Sequence, residues 1–429
     1  MSNPSSPLNG LPADASRRGI GTAISAGMAW PLRQLLARLL RTVHCGSLSV
    51  ELPNGDRVEG HGAAAGPQAT LRLHRWRPLG RLLLSGDLGL AESYRDGDWS
   101  SPDLPALLEF GIRNESSWGT ALDAAWPTRW LSRIVHLARA NTRRGSRQNI
   151  SFHYYLGNAF YAHWLDPELI YSSALYATGN ESLEQAQAAK LERIIGLLGL
   201  KGDAQVLEIG CGWGALALAL AGRHGARVTG LTLSTEQLAH AQRRVAEQAL
   251  GDAVELRLQD YRDVQGQYDH IVSIEMLEAV GERYWPTYFA TLRQRLRPGG
   301  SAVLQVITIA DEHFEHYRRG TDFIQRFIFP GGMLPSVSAM HAQAEAAALT
   351  MRQVESFGTG YAATLVEWRH RFLRAWPAIE ALGFDASFRR LWEYYLCYCE
   401  AGFRSGRVDV GLFALAHADA GAHGAATSA

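Results

Sequence analysis

Three glycines, Gly210, Gly212 and Gly214, follow the apolar run Val206, Leu207, Ile209 and stand at the mouth of a stretch rich in alanine and leucine. Glycine lets a chain turn sharply and approach a ligand closely, and the start of a helix leaves backbone N–H groups without partners. The G-x-G-x-G spacing lacks the G-x-G-x-x-G that a dinucleotide pyrophosphate needs. Glu208 lies two residues before the first glycine, where a carboxylate can answer a ligand's ammonium. A glycine-rich turn with no ligand is the plain alternative. Thr232 and Gln237 stand at the end of the next apolar run, with a hydroxyl and an amide for a ribose. Asp260 and Tyr261 follow the third, able to accept from an adenine's exocyclic amine and to cover its ring. Taken singly, each is an ordinary polar strand end; at the tips of three successive strands they describe one nucleotide site.

The elements that must carry these residues alternate. Short buried runs at 205–209, 227–233, 254–258, 270–274 and 302–309 read as strands, with helical stretches at 214–224 and 235–250. Repeated βα units predict an α/β domain with a doubly wound, mostly parallel sheet, whose ligands bind beyond the carboxyl ends of the strands. The segment 312–404 reads as strongly helical and aromatic-rich, and 408–416 as a last strand. Before this domain, leucines at helical spacing (Leu32, Leu35, Leu36, Leu39, Leu40) give way to short alternating runs at 48–52, 69–74 and 81–84 around Asn54-Gly55 and other turns. That pattern predicts a smaller α+β amino-terminal domain. The organisation expected is a tail at 1–29, an amino-terminal domain at 30–138, a basic linker at 139–150 with four arginines in 139–147, the larger domain at 151–418, and a second tail at 419–429.

The chain has 429 residues, with 42 Lys+Arg against 42 Asp+Glu, so net charge makes no case for a nucleic-acid partner. Its four cysteines form no C-x-x-C pair, which argues against structural zinc or a disulfide framework; no metal is expected, and the cytoplasm is the default compartment. Ser16-Arg17-Arg18 lacks the flanks of an export signal. No apolar run approaches the roughly 20 residues that span a bilayer, so membrane association would be peripheral. Arg33, Arg38 and Arg41 beside the amino-terminal leucines form a basic amphipathic pattern suited to anionic headgroups, or else a helix packed on its own domain.

From 86 to 404 the chain resembles the cyclopropane-fatty-acyl-phospholipid synthases and mycolic acid cyclopropane synthases. The likeness rests on ordered blocks: GDLGLAESYRDGDW at 86–99, NISFHYYLGNAFY at 149–161, LDPELIYSSA at 165–174, LEIGCGWG at 207–214, TLSTEQ at 232–237, DYRD at 260–263, IVSIEMLEAVG at 271–281, FIFPGG at 327–332 and WEYYL at 392–396. The resemblance implies a Rossmann-like class I methyltransferase domain that uses S-adenosylmethionine. It places the cofactor against Tyr171 and Ser172, the loop Glu208, Gly210, Gly212, Trp213 and Gly214, then Thr232, Gln237, Asp260 and Tyr261. It further implies a bicarbonate ion near Glu278, Tyr361 and the backbone of Ile307, with Ser173 and Gln305 where the family usually has Cys and His. Cys399 falls where a catalytic cysteine has been proposed in the family; its alternative is packing. A homodimer is also implied.

The chemistry so implied is methyl transfer to a cis alkene of a phospholipid acyl chain, followed by loss of a proton from the new methyl group as a cyclopropane closes. Glu278 is expected to hold or act as the base. Aromatic faces such as Phe160, Trp164, Phe329 and Tyr395 can shield a carbocation, although core packing is the commoner use of such residues. Loss of a different proton would give a methylene chain or, with a reductase partner, a methyl-branched one. A catalytically silent lipid-binding protein is the alternative from another class.

Overall fold

The computed structural model describes residues 26–122 and 156–418. The arginine-rich linker, Tyr154, Tyr155 and most of both expected tails lie outside the described residues. The chain forms two compact units, and the boundary between them is not a single cut. The first comprises the residues up to 122 together with Gly320–Phe323 and Trp368–Ser405; the second comprises 156–319, Ile324–Glu367 and 406–418.

In the first unit, strands β1 (Cys45–Glu51), β2 (Arg57–His61), β3 (Ala64–Leu73) and β4 (Trp99–Ser100) form a sheet in the order β2-β1-β3-β4. The amino-terminal helix Ala26–Arg41 buries Leu32, Leu36, Leu39 and Leu40. It lies so close to β2 that a Cβ on Gly60 would come 2.6 Å from the Leu40 carbonyl oxygen. Its leucine stripe is therefore core, and the packing alternative holds over a membrane-facing one: a 3.6-residue apolar stripe buries itself wherever a sheet face is available. Arg33 pairs with Asp56 at 2.5 Å, and Arg38 and Arg41 remain exposed.

The run 81–84, read as a strand, lies instead within the helix Arg77–Arg95, which begins with a proline in its first turn and kinks at Gly86 (φ 60°). Three consecutive leucines cannot by themselves distinguish a strand from a buried helix. The helix ends at the tight turn before Asp98, which is fully buried and ion-paired with Arg77 at 2.6 Å. The helix Ala386–Arg404 is capped by Asp385, which accepts from the Phe388 N–H at 2.7 Å. It contributes Tyr394 to a ring cluster with Tyr94, Trp99 and Phe323.

The second unit carries seven strands: β5 (Gln205–Ile209), β6 (Arg227–Thr232), β7 (Val254–Leu258), β8 (Tyr268–Ile274), β9 (Leu296–Ile309), β10 (Leu349–Ser356) and β11 (Val408–His417). Their order is β10-β11-β9-β8-β5-β6-β7. β5 to β9 pair in parallel and β10 and β11 join antiparallel. Parallel strands covered on both faces read as continuous apolar runs. Leu207, Ile271, Ala302 and Leu304 are accordingly fully buried, and burying a side chain the size of leucine is worth about 1.5–3 kcal/mol. The strand order reverses between β5 and β8, so the crevice at their carboxyl ends is where ligands bind in such sheets. Strand β10, within the segment read as helical, is a largely polar edge strand and carries little strand signal.

Candidate active site

The turn after β5 is built as its glycines require. Gly210, Gly212 and Gly214 have φ of 87°, 52° and 90°, in the region that only glycine enters without strain. The Gly210 and Cys211 N–H groups both donate to the Leu231 carbonyl, at 3.0 and 2.8 Å, fixing the loop against β6. A Cβ on Gly210 would lie 3.0 Å from Met276 Cγ, and one on Gly214 3.0 Å from Ala241 Cβ. Gly214 caps the helix Ala215–His224, so the free N–H groups of that helix open beside the turn. Glu208 is buried, and its Oε2 has no hydrogen-bond partner among the described residues. Burial pushes its carboxyl up to about 8, and the Lys190 ammonium opposes the shift. An orphaned buried carboxylate beside a glycine turn and a helix start fits the ammonium end of S-adenosylmethionine.

Tyr171, Ser172, Glu208, Gly210, Gly212, Trp213, Thr232, Gln237, Asp260 and Tyr261 all line one pocket; Gly214 shapes the turn from behind. Several of these side chains already serve local structure. Ser234 caps the helix Thr235–Glu247, and Thr232 donates its hydroxyl to the Gln237 amide oxygen at 2.9 Å. Asp260 is held on both carboxylate oxygens by Arg262, whose guanidinium donates at 2.8 and 2.6 Å and whose N–H donates at 3.0 Å. Trp213 donates to Asn158 Oδ1 at 2.7 Å. Phe160 and Trp164 are fully buried core, whereas Phe329 reaches the pocket wall.

A charged cluster closes the inner end. Lys190, one of two lysines in the chain, lies on the helix Leu183–Leu198, whose start is fixed by a Ser182/Gln185 capping box. Its ammonium is fully buried and donates to Ser172 Oγ at 2.7 Å. Burial pulls its pKa down to about 8, against the attraction of Glu275, Asp166 and Glu208. Glu275, immediately after β8, accepts from the Ser173 N–H (2.8 Å), the Gln305 amide (2.7 Å) and the Tyr361 hydroxyl (2.7 Å). Burial raises its pKa, and these three donors and Lys190 hold the rise back. Its backbone sits at φ 47°, a left-handed conformation unusual for a residue other than glycine.

Glu278 accepts from the Ile307 N–H at 2.5 Å; its other oxygen is buried and has no partner among the described residues. Burial, then the neighbouring Glu275 charge, push its carboxyl up to about 8. Glu275 lines the pocket, whereas Glu278 is held on the Ile307 N–H.

The residues do not fit a bicarbonate ion. Each donor expected to hold it is engaged: Tyr361 and Gln305 on Glu275, the Ile307 N–H on Glu278, and the Ser173 hydroxyl on the Ala174 carbonyl. The second Gln305 N–H points to the Ser173 carbonyl at 3.3 Å. An added anion would meet two buried carboxyl groups with its donors already committed. Cys399 lies on the helix Ala386–Arg404 of the first unit and forms no disulfide. Sequence reasoning missed Lys190, Glu275 and Arg262 as pocket residues. The scarcity of lysine was a signal for the first, and the spacing of Glu275 three residues before Glu278 for the second.

A seven-stranded sheet with this turn and pocket defines a class I S-adenosylmethionine-dependent methyltransferase. The solved mycolic acid cyclopropane synthase CmaA1 in complex with S-adenosylhomocysteine and CTAB is similar, with a TM-score of 0.59 and 31% identity over 63% of this chain and 97% of that one. The family described as mycolic acid cyclopropane synthetase matches residues 141–413, and the chain belongs to it. The tuberculostearic acid methyltransferase UfaA1 of Mycobacterium tuberculosis is 40% identical over 363 residues, 81% of this chain and 83% of the relative. The cyclopropane-fatty-acyl-phospholipid synthase of Escherichia coli K12 is 37% identical over 334 residues, 76% and 82% respectively.

Proposed function

We propose that the protein methylates the cis double bond of unsaturated acyl chains in membrane phospholipids and closes the product to a cyclopropane. The observation that carries this reading is Glu275, a half-buried carboxylic acid residue lining the cofactor pocket together with the apolar residues Ala279, Val280 and Phe329. A carboxylate so placed suits removal of a proton from a newly transferred methyl carbon. S-adenosylmethionine, when bound, supplies an electrophilic methyl group on a good leaving group. Glu208 and the glycine turn hold its amino-acid end; Thr232, Gln237, Asp260 and Tyr261 hold the nucleoside. The apolar wall receives the alkene and excludes water that would trap the cation. We further propose peripheral attachment to the inner face of the cytoplasmic membrane, with residues 30–138 as a lipid-associated domain and 151–418 as the methyltransferase domain. Among the described residues no helix is long and apolar enough to cross a membrane.

The similarity to a tuberculostearic acid methyltransferase favours a second reading. Here the same cation loses a different proton and gives a methylene chain, or a methyl branch with a reductase partner. Expression in a bacterium lacking its own cyclopropane synthase tests both. Gas chromatography–mass spectrometry of the fatty acid methyl esters should reveal a +14 product. Ring protons upfield of the methyl signals in its NMR spectrum support the first reading, and olefinic methylene or branched-methyl signals support the second. Unchanged fatty acids despite bound cofactor would refute both.

A further inference from the structure

We infer that Glu275 is itself the base of this active site, with Ser173, Gln305 and Tyr361 as positioning residues that act through it. The inference rests on the proposed methylation of an alkene and goes beyond it by naming the proton acceptor. Three independent observations carry it. The acid on the pocket wall is Glu275, and the acid three residues later is turned away onto the Ile307 N–H. The backbone N–H of Ser173 and the side chains of Gln305 and Tyr361 converge on that one carboxylate at 2.7–2.8 Å, the first two on Oε1 and the third on Oε2. The residue is held at φ 47°, where glycine would be unstrained. Backbone strain kept at a pocket wall is a recurrent mark of function. Lys190 supplies the compensating positive charge from the cofactor side.

In the step so assigned, a C–H bond of the transferred methyl group breaks. Its electron pair closes the third carbon–carbon bond of the ring onto the cationic carbon, and the proton passes to a Glu275 oxygen. The cation is discharged and the carboxylate becomes a neutral acid. Its proton leaves to water when the product departs, restoring the base.

The test uses the full chain with S-adenosylmethionine and vesicles of unsaturated phosphatidylglycerol, in carbonate-free buffer and with added bicarbonate or formate. Wild-type turnover is expected to be the same in all three. Glu275→Gln should lose about 100-fold or more, the range of a general base, with unchanged affinity for S-adenosylhomocysteine. Glu275→Gly, relieved of backbone strain and left with open donors, should lose as much and regain turnover with bicarbonate or formate. In calorimetry, bicarbonate should bind Glu275→Gly and leave the wild type silent. Wild-type turnover that depends on bicarbonate, bicarbonate binding to the wild type, or full activity in Glu275→Gln would overturn the inference. Should the wild type fail to turn over any unsaturated chain, the methylation reading fails, and calorimetry still decides whether Glu275 fills the anion's place.

Discussion

Replacing Tyr361 by phenylalanine removes one oxygen and leaves the ring, which is 7% exposed, in its packing. The hydroxyl donates to Glu275 Oε2 at 2.7 Å in a partly buried setting, and a hydrogen bond to a charged acceptor is worth about 1.5–3 kcal/mol. At 1.36 kcal/mol per tenfold, its loss should shift the ionisation equilibrium of Glu275 toward the neutral acid by roughly 10- to 150-fold, which sets the upper bound on the fall in kcat. The sign follows from the chemistry. A donor favours the carboxylate, so its removal drives the carboxyl further in the direction burial already pushes it, and the rising limb of the pH–rate profile moves to higher pH. The other groups facing Glu275 are the Ser173 N–H, the Gln305 amide, Lys190 and Glu278, and all remain. Raising the pH should therefore restore turnover of Tyr361→Phe toward wild type, until Lys190 loses its charge above about 8 and the recovery stops. Initial rates of S-adenosylhomocysteine release on unsaturated vesicles, measured from neutral to alkaline pH, give the profile; calorimetry with S-adenosylhomocysteine checks that cofactor affinity is preserved. A variant with unchanged kcat at every pH, or a loss that no rise in pH repairs, would refute the reasoning.

Glu208→Gln separates charge from shape in the cofactor pocket. The wild-type carboxyl, with its pKa raised to about 8, is mostly neutral below that pH and ionised above it. The affinity gap between wild type and variant for S-adenosylmethionine should thus be small at mildly acidic pH and widen as the pH rises through 8, as titration calorimetry would show. Gly214→Ala puts a side chain at φ 90° and its Cβ 3.0 Å from Ala241 Cβ. The left-handed backbone alone costs about 1–2 kcal/mol, so a lower Tm and weaker cofactor binding are expected together. Glu400 is fully buried between Arg369 (3.2 Å) and Arg404 (2.5 Å). Glu400→Ala leaves both guanidinium groups without this acid and should cost about 3 kcal/mol, read as a drop in the denaturant midpoint; an unchanged midpoint would show that water already solvates the pair.

The sheet was legible wherever one physical cause dominated. Val206, Leu207, Ile271 and Leu304 are buried on both faces of a parallel sheet, and their apolar runs mark β5, β8 and β9 without help from neighbours. The glycine turn was legible because φ beyond 50° admits little else. Leu82, Leu83 and Leu84 were misread because a three-residue apolar run has no period, and β10 was missed because an edge strand that exposes Arg352 and Gln353 offers nothing for alternation to reveal. The acids are the instructive failure. Glu275 and Glu278 are chemically identical, three residues apart, and both half-buried. No residue-level property ranks one over the other. The choice is made by a single backbone dihedral at 275 and by donors from three distant segments: Ser173, Gln305 at the β8-facing stretch of β9, and Tyr361 on the helix Gly358–Arg374. Lys190 was hidden for the related reason that buried lysines are rare unless paired, and its partners lie 18 and 85 residues away at Glu208 and Glu275. Chemistry that depends on which of two like groups is ionised belongs to the tertiary field, so the base can be assigned only once Lys190, the three donors and the pocket wall are seen around the same carboxylate.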